Sequence, residues 1–283
     1  MASHSGIVIR LLTWNLRHGR DAPPDPALHT WRSRLLRRSE PGATHVQVNR
    51  SLRRELAATL ARWEWDVALL QEAPPHWRDD LARASGAAAE VVMTSRNCLA
   101  PVRVAIADRN PDLIGASAGG SNMLLVRPPF RAAEVDRVRL ATWPERRKLL
   151  MARIDVPARQ PRAERALVVA CTHLSVPATG RGAAEALRAA ATATDWAAGA
   201  PVVLGGDLNL RPADHGDAFA ALAERHRLAP PTAPRSLDHL LARDLAVVDP
   251  PHVLPPSARD VPGPGGLAIR LSDHAPVTAA FGL

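Results

Sequence analysis

Several apolar runs of this sequence share one design: each reads as a buried β-strand that ends in carboxylate, amide or imidazole side chains. In "VVLGGDLNL" (202–210), a β-branched and leucine run leads into two glycines and then into Asp207 and Asn209. Continuous apolar runs of this kind are typical of strands buried on both faces. Such strands need layers of structure on either side, which favours an α/β fold. What an aspartate and an asparagine do at a strand end depends on what else lies there.

Six segments place polar residues of this kind at the end of an apolar run or within one. They are "TWNLR" with Asn15 and Arg17, "LLQE" with Glu72, "CTHLS" with His173, "GGDLN" with Asp207 and Asn209, "SLDHL" with Asp238 and His239, and "LSDH" with Asp273 and His274. Each residue alone has an ordinary structural explanation, such as a turn, a helix cap or a hydrogen-bonded core histidine. Six clusters of metal-binding and acid/base residue types are better explained by one shared site.

The remaining sequence alternates between strand-like, helical and loop-like patterns. Strand-like runs lie at 7–14, 66–72 and 165–175, and include "EVVMT", "VRVAIA", "NMLLVR" and "KLLMARIDV" between residues 90 and 156. Helical spacing predicts helices at about 46–63, 182–199 and 215–228. The Pro-rich segments 20–44 and 249–266 are predicted to be loops. Strands dominate and helices fall between some of them, which predicts a single mixed α/β domain over residues 1–283.

The composition indicates which kinds of partner the protein could bind and in which cellular compartment it is expected. All basic residues but Lys148 are arginine, and the formal net charge of +8 fits a polyanionic partner, although a GC-rich genome would also enrich arginine. No run of about 18 apolar residues predicts a membrane span, and no signal peptide is apparent at the N-terminus. Cys98 and Cys171 are the only cysteines. We therefore expect reduced thiols in a cytoplasmic protein.

Taken in chain order, the motifs resemble those of the endonuclease/exonuclease/phosphatase superfamily. These metal-dependent phosphoesterases include pancreatic-type deoxyribonucleases, apurinic-site endonucleases, neutral sphingomyelinases and inositol-polyphosphate phosphatases. The match runs from about Ile7 to Phe281, and "GDLN", "LDH" and "SDHAPV" are its most specific parts. The resemblance implies a deoxyribonuclease-like, four-layer α/β sandwich of two packed mixed β-sheets flanked by helices, with an active cleft at the strand ends.

The resemblance also implies a metal site. Glu72 corresponds to the main carboxylate ligand of a divalent cation, with Asn15 and Asp273 beside it. Oxygen ligands of this kind suit Mg²⁺ or Mn²⁺, which retain waters and also bind the substrate phosphate. Such a cation would neutralise charge on the phosphate and act as a Lewis acid.

Five further residues take catalytic roles by the same resemblance. Asp207 would position or deprotonate the attacking water, and Asn209 would donate a hydrogen bond to the phosphate oxygen. His274, oriented by Asp238, would stand against the scissile phosphate as a charged donor or proton-transfer group. His173 matches a second histidine of the deoxyribonuclease and sphingomyelinase branches. The strand at 202–210 would thus end where it does in order to aim a base and a donor at one phosphorus atom.

Substrate contacts are expected from a different set of residues. Arg17 matches a phosphate-contacting arginine of the deoxyribonuclease branch, and Arg146 or Arg147 of "PERRKLL" matches a backbone-contacting arginine. Arg146 and Arg147 read equally well as solvated surface charges. Asn122 is expected to line the cleft. Tyrosine is absent, which argues against a dedicated abasic-site endonuclease because those enzymes usually have a tyrosine in this region.

Three functions remain open from the sequence. The first is a DNA endonuclease with little sequence preference, favoured by the basic charge, Arg17 and His173. The second is a phosphatase or phosphodiesterase that acts on a small phosphorylated metabolite or a lipid headgroup. The third is a catalytically silent binding module on the same fold, which the intact motif set disfavours. Substrate choice depends on the segments 20–44, 96–120 and 250–268.

Overall fold

The computed structural model describes residues 7–36, 40–95, 99–115, 119–143, 145–157 and 165–283. These residues form two large β-sheets, a small two-stranded sheet and six α-helices. The strands are β1 (Val8–Asn15), β2 (Val67–Ala73), β3 (Ala88–Met93), β4 (Ser121–Val126), β5 (Arg131–Ala141), β6 (Arg147–Val156), β7 (Arg165–His173), β8 (Val202–Asp207), β9 (Asp238–Arg243), β10 (Ala246–Val253), β11 (Asp260–Pro262), β12 (Ala268–Arg270) and β13 (Val277–Gly282). The helices are α1 (Trp31–Leu36), α2 (Arg53–Arg62), α3 (Arg78–Ser85), α4 (Ala100–Arg109), α5 (Gly182–Ala197) and α6 (Gly216–His226).

The two large sheets are mixed and pack face to face. The first has the strand order β10-β13-β1-β2-β4-β3 and the second has the order β5-β6-β7-β8-β9. Each contains one parallel pair, β1 with β2 and β7 with β8. Their facing side chains share one apolar cluster, which includes Leu11, Leu69, Leu150, Val169 and Leu240. The predicted pair of packed mixed sheets is confirmed.

Helices cover the outer faces of both sheets and complete the four layers. The outer face of the first sheet packs against α2 and α3 in a second apolar cluster. The outer face of the second sheet packs against α5 and α6. The buried face of α5 is mostly alanine, with Ala186, Ala189, Ala190 and Ala193 at helical spacing, so the helix axis can lie close to the sheet. Because the inner strands are covered on both sides, their sequences read as continuous apolar runs.

This topology brings the polar strand ends to one edge of the sandwich. Asn15 ends β1 and Asp207 ends β8, and Nδ2 of Asn15 donates a hydrogen bond of 3.0 Å to Oδ2 of Asp207. The carboxyl ends of both parallel pairs therefore meet. β9 begins at the same edge, because Asp238 pairs with Asp207 across the antiparallel ladder. The edge at the carboxyl ends of parallel strands is where α/β sheets commonly bind ligands.

Two predicted elements differ from the structure. The helix expected at 46–63 begins only at Arg53, because Val46 and Val48 belong to an extended segment that packs against the same apolar cluster. Val48 precedes Leu52 by four residues, so it continues the helical spacing in the sequence although it lies outside the helix. The run "VRVAIA" lies within helix α4 and is not a strand. Six residues are too few to distinguish the period of a helix from that of a strand. Pro101 in the first helical turn favours helix initiation.

The two predicted loops contain more regular structure than the sequence suggests. Segment 249–266 includes the second half of β10 and all of β11. Prolines 250 and 251 are tolerated because β10 is an edge strand and its pairing with β13 shifts register there. Segment 20–44 contains α1 and a 3₁₀ turn that the side chain of Asp25 caps. Among the described helices, none combines the length and apolarity needed to cross a membrane.

Candidate active site

Three neighbouring strands of the second sheet each place one polar side chain in a row across the sheet. His173 of β7 lies beside Asp207 of β8, and Asp207 lies opposite Asp238 of β9. Two glycines precede Asp207 because the strands approach closely there. A Cβ atom on Gly206 would lie 1.9 Å from the carbonyl oxygen of Thr172, and Gly206 has a φ of +131°. The Gly-Gly pair therefore lets the strand reach the row without a steric clash.

His274 lies between two carboxylates. Its Nδ1 is 2.7 Å from Oδ2 of Asp238, and its Nε2 is 3.7 Å from Oδ2 of Asp207. Burial lowers the pKa of His274, but Asp238, Asp207 and Asp273 together outweigh burial and raise the pKa to about 10. Burial and the Asp238 charge raise the pKa of Asp207. The imidazole is therefore held as a cation, which suits it to bind and neutralise an anion.

The turn that carries His274 is fixed to the end of β1. The indole nitrogen of Trp14 donates to the carbonyl of His274 at 2.9 Å. The hydroxyl of Ser272 donates to the carbonyl of Asn15 at 2.7 Å and accepts from the backbone N–H of His274 at 3.1 Å. Ser272 and Trp14 are both fully buried. These contacts position the histidine before any substrate arrives.

Asp207 is held by both predicted asparagines. Asn15 donates to one carboxylate oxygen, and the backbone N–H of Asn209 donates to the other at 3.0 Å. The amide nitrogen of Asn209 also donates to the carbonyl of Leu174 at 2.9 Å. An amide nitrogen carries two hydrogens, so one remains for a ligand. The oxygen of Asn15 accepts from the backbone N–H of Arg17 at 2.9 Å.

Glu72 enters the cleft from a bulge in β2. The pairing of β2 with β4 shifts register between Leu70 and Ala73, and Glu72 has a φ of +49°. Bulges commonly re-aim a side chain beside an active site. Oε2 of Glu72 lies 3.1 Å from Nε2 of His18, and Oε1 lies 3.9 Å from Nδ1 of His173.

His18 is a site residue that the sequence motifs did not identify. Its Nδ1 lies 3.3 Å from the carbonyl oxygen of Gly119, and burial lowers its pKa although Glu72 opposes the shift. His18 lies on the connecting segment that follows β1, where it has a φ of +54°. Arg17, Glu72 and Asn209 also have positive φ. Strained backbone of this kind concentrates at functional sites.

The six titratable side chains form one continuous series, here called the polar series. Its order is His18, Glu72, His173, Asp207, His274 and Asp238. Nε2 of His173 lies 3.4 Å from Oδ2 of Asp207, which joins the two halves. Burial lowers the pKa of His173 well below its usual value, and Arg147 and His274 act in the same direction. The series therefore has a neutral-imidazole end at Glu72 and a cationic imidazole near Asp238.

The Glu72 end fits a hard divalent cation. Both imidazoles beside Glu72 have lowered pKa values, so they favour the neutral form and do not neutralise the carboxylate. The Arg20 guanidinium acts on this carboxylate as a positive charge. Asp273 acts electrostatically on His18 as well, which places a second carboxylate on this side. Asp207, Asp238 and His274 also offer ligand atoms within 4.8 Å of one another. There, however, a short hydrogen bond to Asp238 already holds the cationic imidazole, so Glu72 is the better candidate ligand of the two.

A cavity of about 540 Å³ opens over the Glu72 end of the polar series. His18, Glu72 and His173 form part of its lining, and the hairpin between β5 and β6 contributes Trp143, Arg146 and Arg147. Arg147 is buried and paired with Glu145, and its Nε has no hydrogen-bond partner among the described residues. The predicted arginine segment thus lies at the cleft, with Arg147 close enough to His173 to lower its pKa.

Two predicted substrate contacts are placed differently. Asn122 is fully buried, and its amide nitrogen donates to the carbonyl of Lys148 at 2.8 Å. It therefore joins β4 to β6 beneath the cleft and does not line its wall, because its side chain points between the two sheets. Nε of Arg17 lies 3.4 Å from Oδ2 of Asp273, and its Nη1 donates to the carbonyl of Asp21 at 3.1 Å. In this arrangement Arg17 holds a predicted metal ligand.

Two polar residues beside the motifs support the site from outside it. His239 is fully buried against Phe219, and its Nε2 lies 3.1 Å from the carbonyl oxygens of both Leu210 and Ser236. His239 therefore packs behind the site and holds two backbone segments together. Ser175 donates its hydroxyl and its backbone N–H to Glu185, each at 2.8 Å. The serine hydroxyl is therefore directed at a carboxylate on α5.

Comparison with known proteins agrees with this geometry. A family model described as "Endonuclease/Exonuclease/phosphatase family" matches residues 12–274. A comparison with curated proteins finds no match. Among solved structures, a protein of the same family from Bacteroides thetaiotaomicron is similar, with 14% identity, a TM-score of 0.64 and 98% of each chain covered.

Two further solved structures share the fold at low identity. A mannosyl-6-phosphatase from the same bacterium is 15% identical, with a TM-score of 0.64, and the match covers 97% of this chain and 100% of that one. Truncated Caenorhabditis elegans TDP2 is 14% identical, with a TM-score of 0.59 and 98% of each chain covered. Since the family model spans nearly the whole sequence, the chain belongs to the endonuclease/exonuclease/phosphatase family, whose members hydrolyse phosphoester bonds.

Proposed function

We propose that this protein is a Mg²⁺- or Mn²⁺-dependent nuclease that hydrolyses DNA phosphodiesters with little sequence preference. The observation that carries the proposal is the polar series at the floor of a cleft whose rim bears arginines and an exposed tryptophan. The Glu72 carboxylate, flanked by two imidazoles with lowered pKa values, lies towards one end of the series, and a cationic imidazole lies near the other. A phosphodiester needs charge neutralisation and a positioned water, and the series offers groups for both.

Each residue has a distinct task in this proposal. A divalent cation on Glu72, with Asp273 and Asn15 nearby, would neutralise the phosphate and polarise its P–O bonds. Asp207, with its raised pKa and two fixed hydrogen bonds, is placed to take a proton from the attacking water. His274 donates from Nε2 to a phosphate oxygen, with its ring fixed by Asp238.

The rim of the cleft supports a nucleic acid as the substrate. Trp143 is 71% exposed, far more than a side chain that serves packing. The Arg181 guanidinium lies 5.8 Å from the centre of the Trp143 ring. It also donates a hydrogen bond to the backbone carbonyl oxygen of Trp143. Exposed aromatic rings beside arginines are a common platform for stacked bases. Arg146 on the same hairpin supplies positive charge for the sugar-phosphate backbone, whereas Arg147 is buried and paired with Glu145.

A second candidate is a phosphatase for a small phosphorylated metabolite. The cavity of about 540 Å³ has the size of a small-molecule site, and a structurally similar protein is named a mannosyl-6-phosphatase. The same polar series would serve this reaction. The two candidates differ in what Trp143 and the arginines contact.

Hydrolysis of matched substrates separates the two candidates. Purified protein with Mg²⁺ is given a labelled oligonucleotide, mannose 6-phosphate, or a short-chain phospholipid. We expect internal cleavage of the oligonucleotide, and Trp143→Ala should lower its kcat/KM by about 5- to 150-fold, the range of one lost stacking contact. Trp143→Phe should retain most of the activity, and Trp31→Ala, another exposed tryptophan, serves as the control. Phosphate release from a small ester without cleavage of DNA would overturn the proposal.

A further inference from the structure

A second cavity opens beside the other end of the polar series. It has a volume of about 430 Å³, and its lining includes Asp238 and His274 together with Arg211 and Arg235. The first cavity is lined by His18, Glu72 and His173, at the opposite end. Asp207, which lies between His173 and His274, therefore has a cavity with two arginines in its lining on each side.

Arg211 and Arg235 provide positive charge that the described residues do not neutralise. Neither guanidinium forms an ion pair within the described part of the chain, whereas Arg131 and Arg153, for example, both pair with carboxylates. The acidic residues that share the cavity are already engaged. Asp238 is hydrogen-bonded to His274, and Asp273 is paired with Arg17. The cavity is therefore suited to an anion.

The two arginines are carried on backbone that is fixed in advance. Arg211 follows β8 and Arg235 precedes β9, so both belong to the segments that carry Asp207 and Asp238. His239 contacts the carbonyls of Leu210 and Ser236, the direct neighbours of the two arginines. The backbone N–H of Ala213 also donates to the carbonyl of Pro234 at 2.9 Å. A site whose frame is preorganised loses less entropy on binding.

We propose that Arg211 and Arg235 form a phosphate subsite for a nucleic-acid strand that continues past the scissile phosphate. One strand would then contact Arg146 on one side of Asp207 and this subsite on the other. Contacts on both sides favour cleavage within a strand, since a terminal phosphate would occupy only one cavity. This inference rests on the nuclease function proposed above and assigns it an internal point of attack.

Binding tests the subsite without turnover. A labelled 12-nucleotide single strand is titrated by fluorescence anisotropy, with the Arg211→Ala/Arg235→Ala pair introduced into protein that also carries His274→Ala. Each phosphate contact contributes about 0.7 to the slope of log affinity against log salt for single strands, so the pair should lower the slope by about 1.4. The Arg62→Ala/Arg225→Ala pair has the same charge change on exposed helix positions outside both cavities and should leave the slope unchanged. An equal slope in both pairs would overturn the proposal.

Turnover tests the internal point of attack in protein that retains His274. The ratio of kcat/KM for the oligonucleotide to that for bis(p-nitrophenyl) phosphate is measured for wild type and for both pairs. We expect the Arg211→Ala/Arg235→Ala pair to lower this ratio at least tenfold, and a ratio equal to that of the control pair would overturn the subsite. If wild type cleaves only the small ester, the nuclease function itself is wrong, and the subsite falls with it.

Discussion

Asp238 Oδ2 lies 2.7 Å from Nδ1 of His274, while Nε2 of the same ring points towards Asp207 at 3.7 Å. One carboxylate thus fixes the orientation and charge of the imidazole, and the second lies where the water would be activated. Asp238 and His274 are 36 residues apart in sequence; Asp238 begins β9 of the second sheet, and His274 lies on the turn that precedes β13 of the first sheet. The edge of the sandwich that carries the candidate site is therefore built from segments of both large sheets.

Asp238 should act only through His274. We expect His274→Ala and Asp207→Ala each to lower kcat about a hundredfold or more without loss of folding. Asp238→Asn should lower kcat less, and in combination with His274→Ala it should add little, because its partner is already absent. Steady-state kinetics of the two single variants and the double variant on an oligonucleotide measure this double-mutant cycle, and thermal melts check that each variant is folded. Additive losses would show that Asp238 has a separate role.

Glu72→Gln should weaken metal binding more than it weakens folding. The substitution keeps the size of the side chain but removes the negative charge that His18 and His173 leave uncompensated. We expect the dissociation constant for Mn²⁺, measured by calorimetry or electron paramagnetic resonance, to rise about tenfold or more, equivalent to about 1.4 kcal/mol. Glu224→Gln on the exposed face of α6 is the charge-matched control. Unchanged Mn²⁺ affinity in Glu72→Gln would remove Glu72 from the metal site.

Asp21 should make the protein less stable as pH rises from about 4 to 6. Burial raises the pKa of Asp21 from 3.8 to about 6, and Asp112 adds to the shift, while the Val48 N–H and Arg17 oppose it. Ionisation therefore costs more in the folded state than in the unfolded state. The stability present below the unfolded pKa is reduced by about 3 kcal/mol once pH exceeds 6.

Urea unfolding at pH 4 and pH 7 measures this linkage. Asp21→Asn retains an oxygen that can accept from Val48 but cannot ionise. We expect the variant to be more stable than wild type at pH 7, with a smaller difference at pH 4. The wild-type and variant curves would run parallel across this range if Asp21 did not titrate there.

Gly206 should be intolerant of any side chain. A Cβ atom there would collide with the Thr172 carbonyl at 1.9 Å and would require a φ of +131°, so Gly206→Ala should cost about 3 kcal/mol or more. At Gly216 a Cβ atom would meet nothing within 4 Å, so Gly216→Ala should be close to neutral. Chemical denaturation of the two variants gives the comparison. Similar stabilities would mean that the strands can separate at no cost.

Burial explains which parts of the fold the sequence predicted. Inner strands such as β2 and β8 are covered on both faces, so their apolar runs are long and unambiguous. Helix α4 lies on the surface with only Ala107 buried, so its sequence carries little helical signal. Strand β10 contains two prolines, which a strand accommodates at the edge of a sheet. Whether a strand lies at the edge depends on the order of all the strands, so the local sequence does not reveal it.

The residues of the candidate site also divide into those that the sequence predicts and those that it does not. Residues at strand ends, such as Glu72, His173 and Asp207, follow directly from the apolar runs that precede them. His18, Trp143, Arg211 and Arg235 lie on connecting segments, where no periodic pattern indicates which way a side chain points. Asn122 belongs to a predicted strand, but its direction depends on strand register, which the sequence does not specify.

Relaxation of supercoiled plasmid by purified protein tests the central claim most directly. Reactions contain Mg²⁺, Mn²⁺ or EDTA, and His274→Ala purified in parallel controls for contaminating nucleases. We predict nicked circles with either metal, none with EDTA, and a loss of about a hundredfold in the variant. Intact plasmid under every metal condition, or equal nicking by wild type and His274→Ala, would contradict the account.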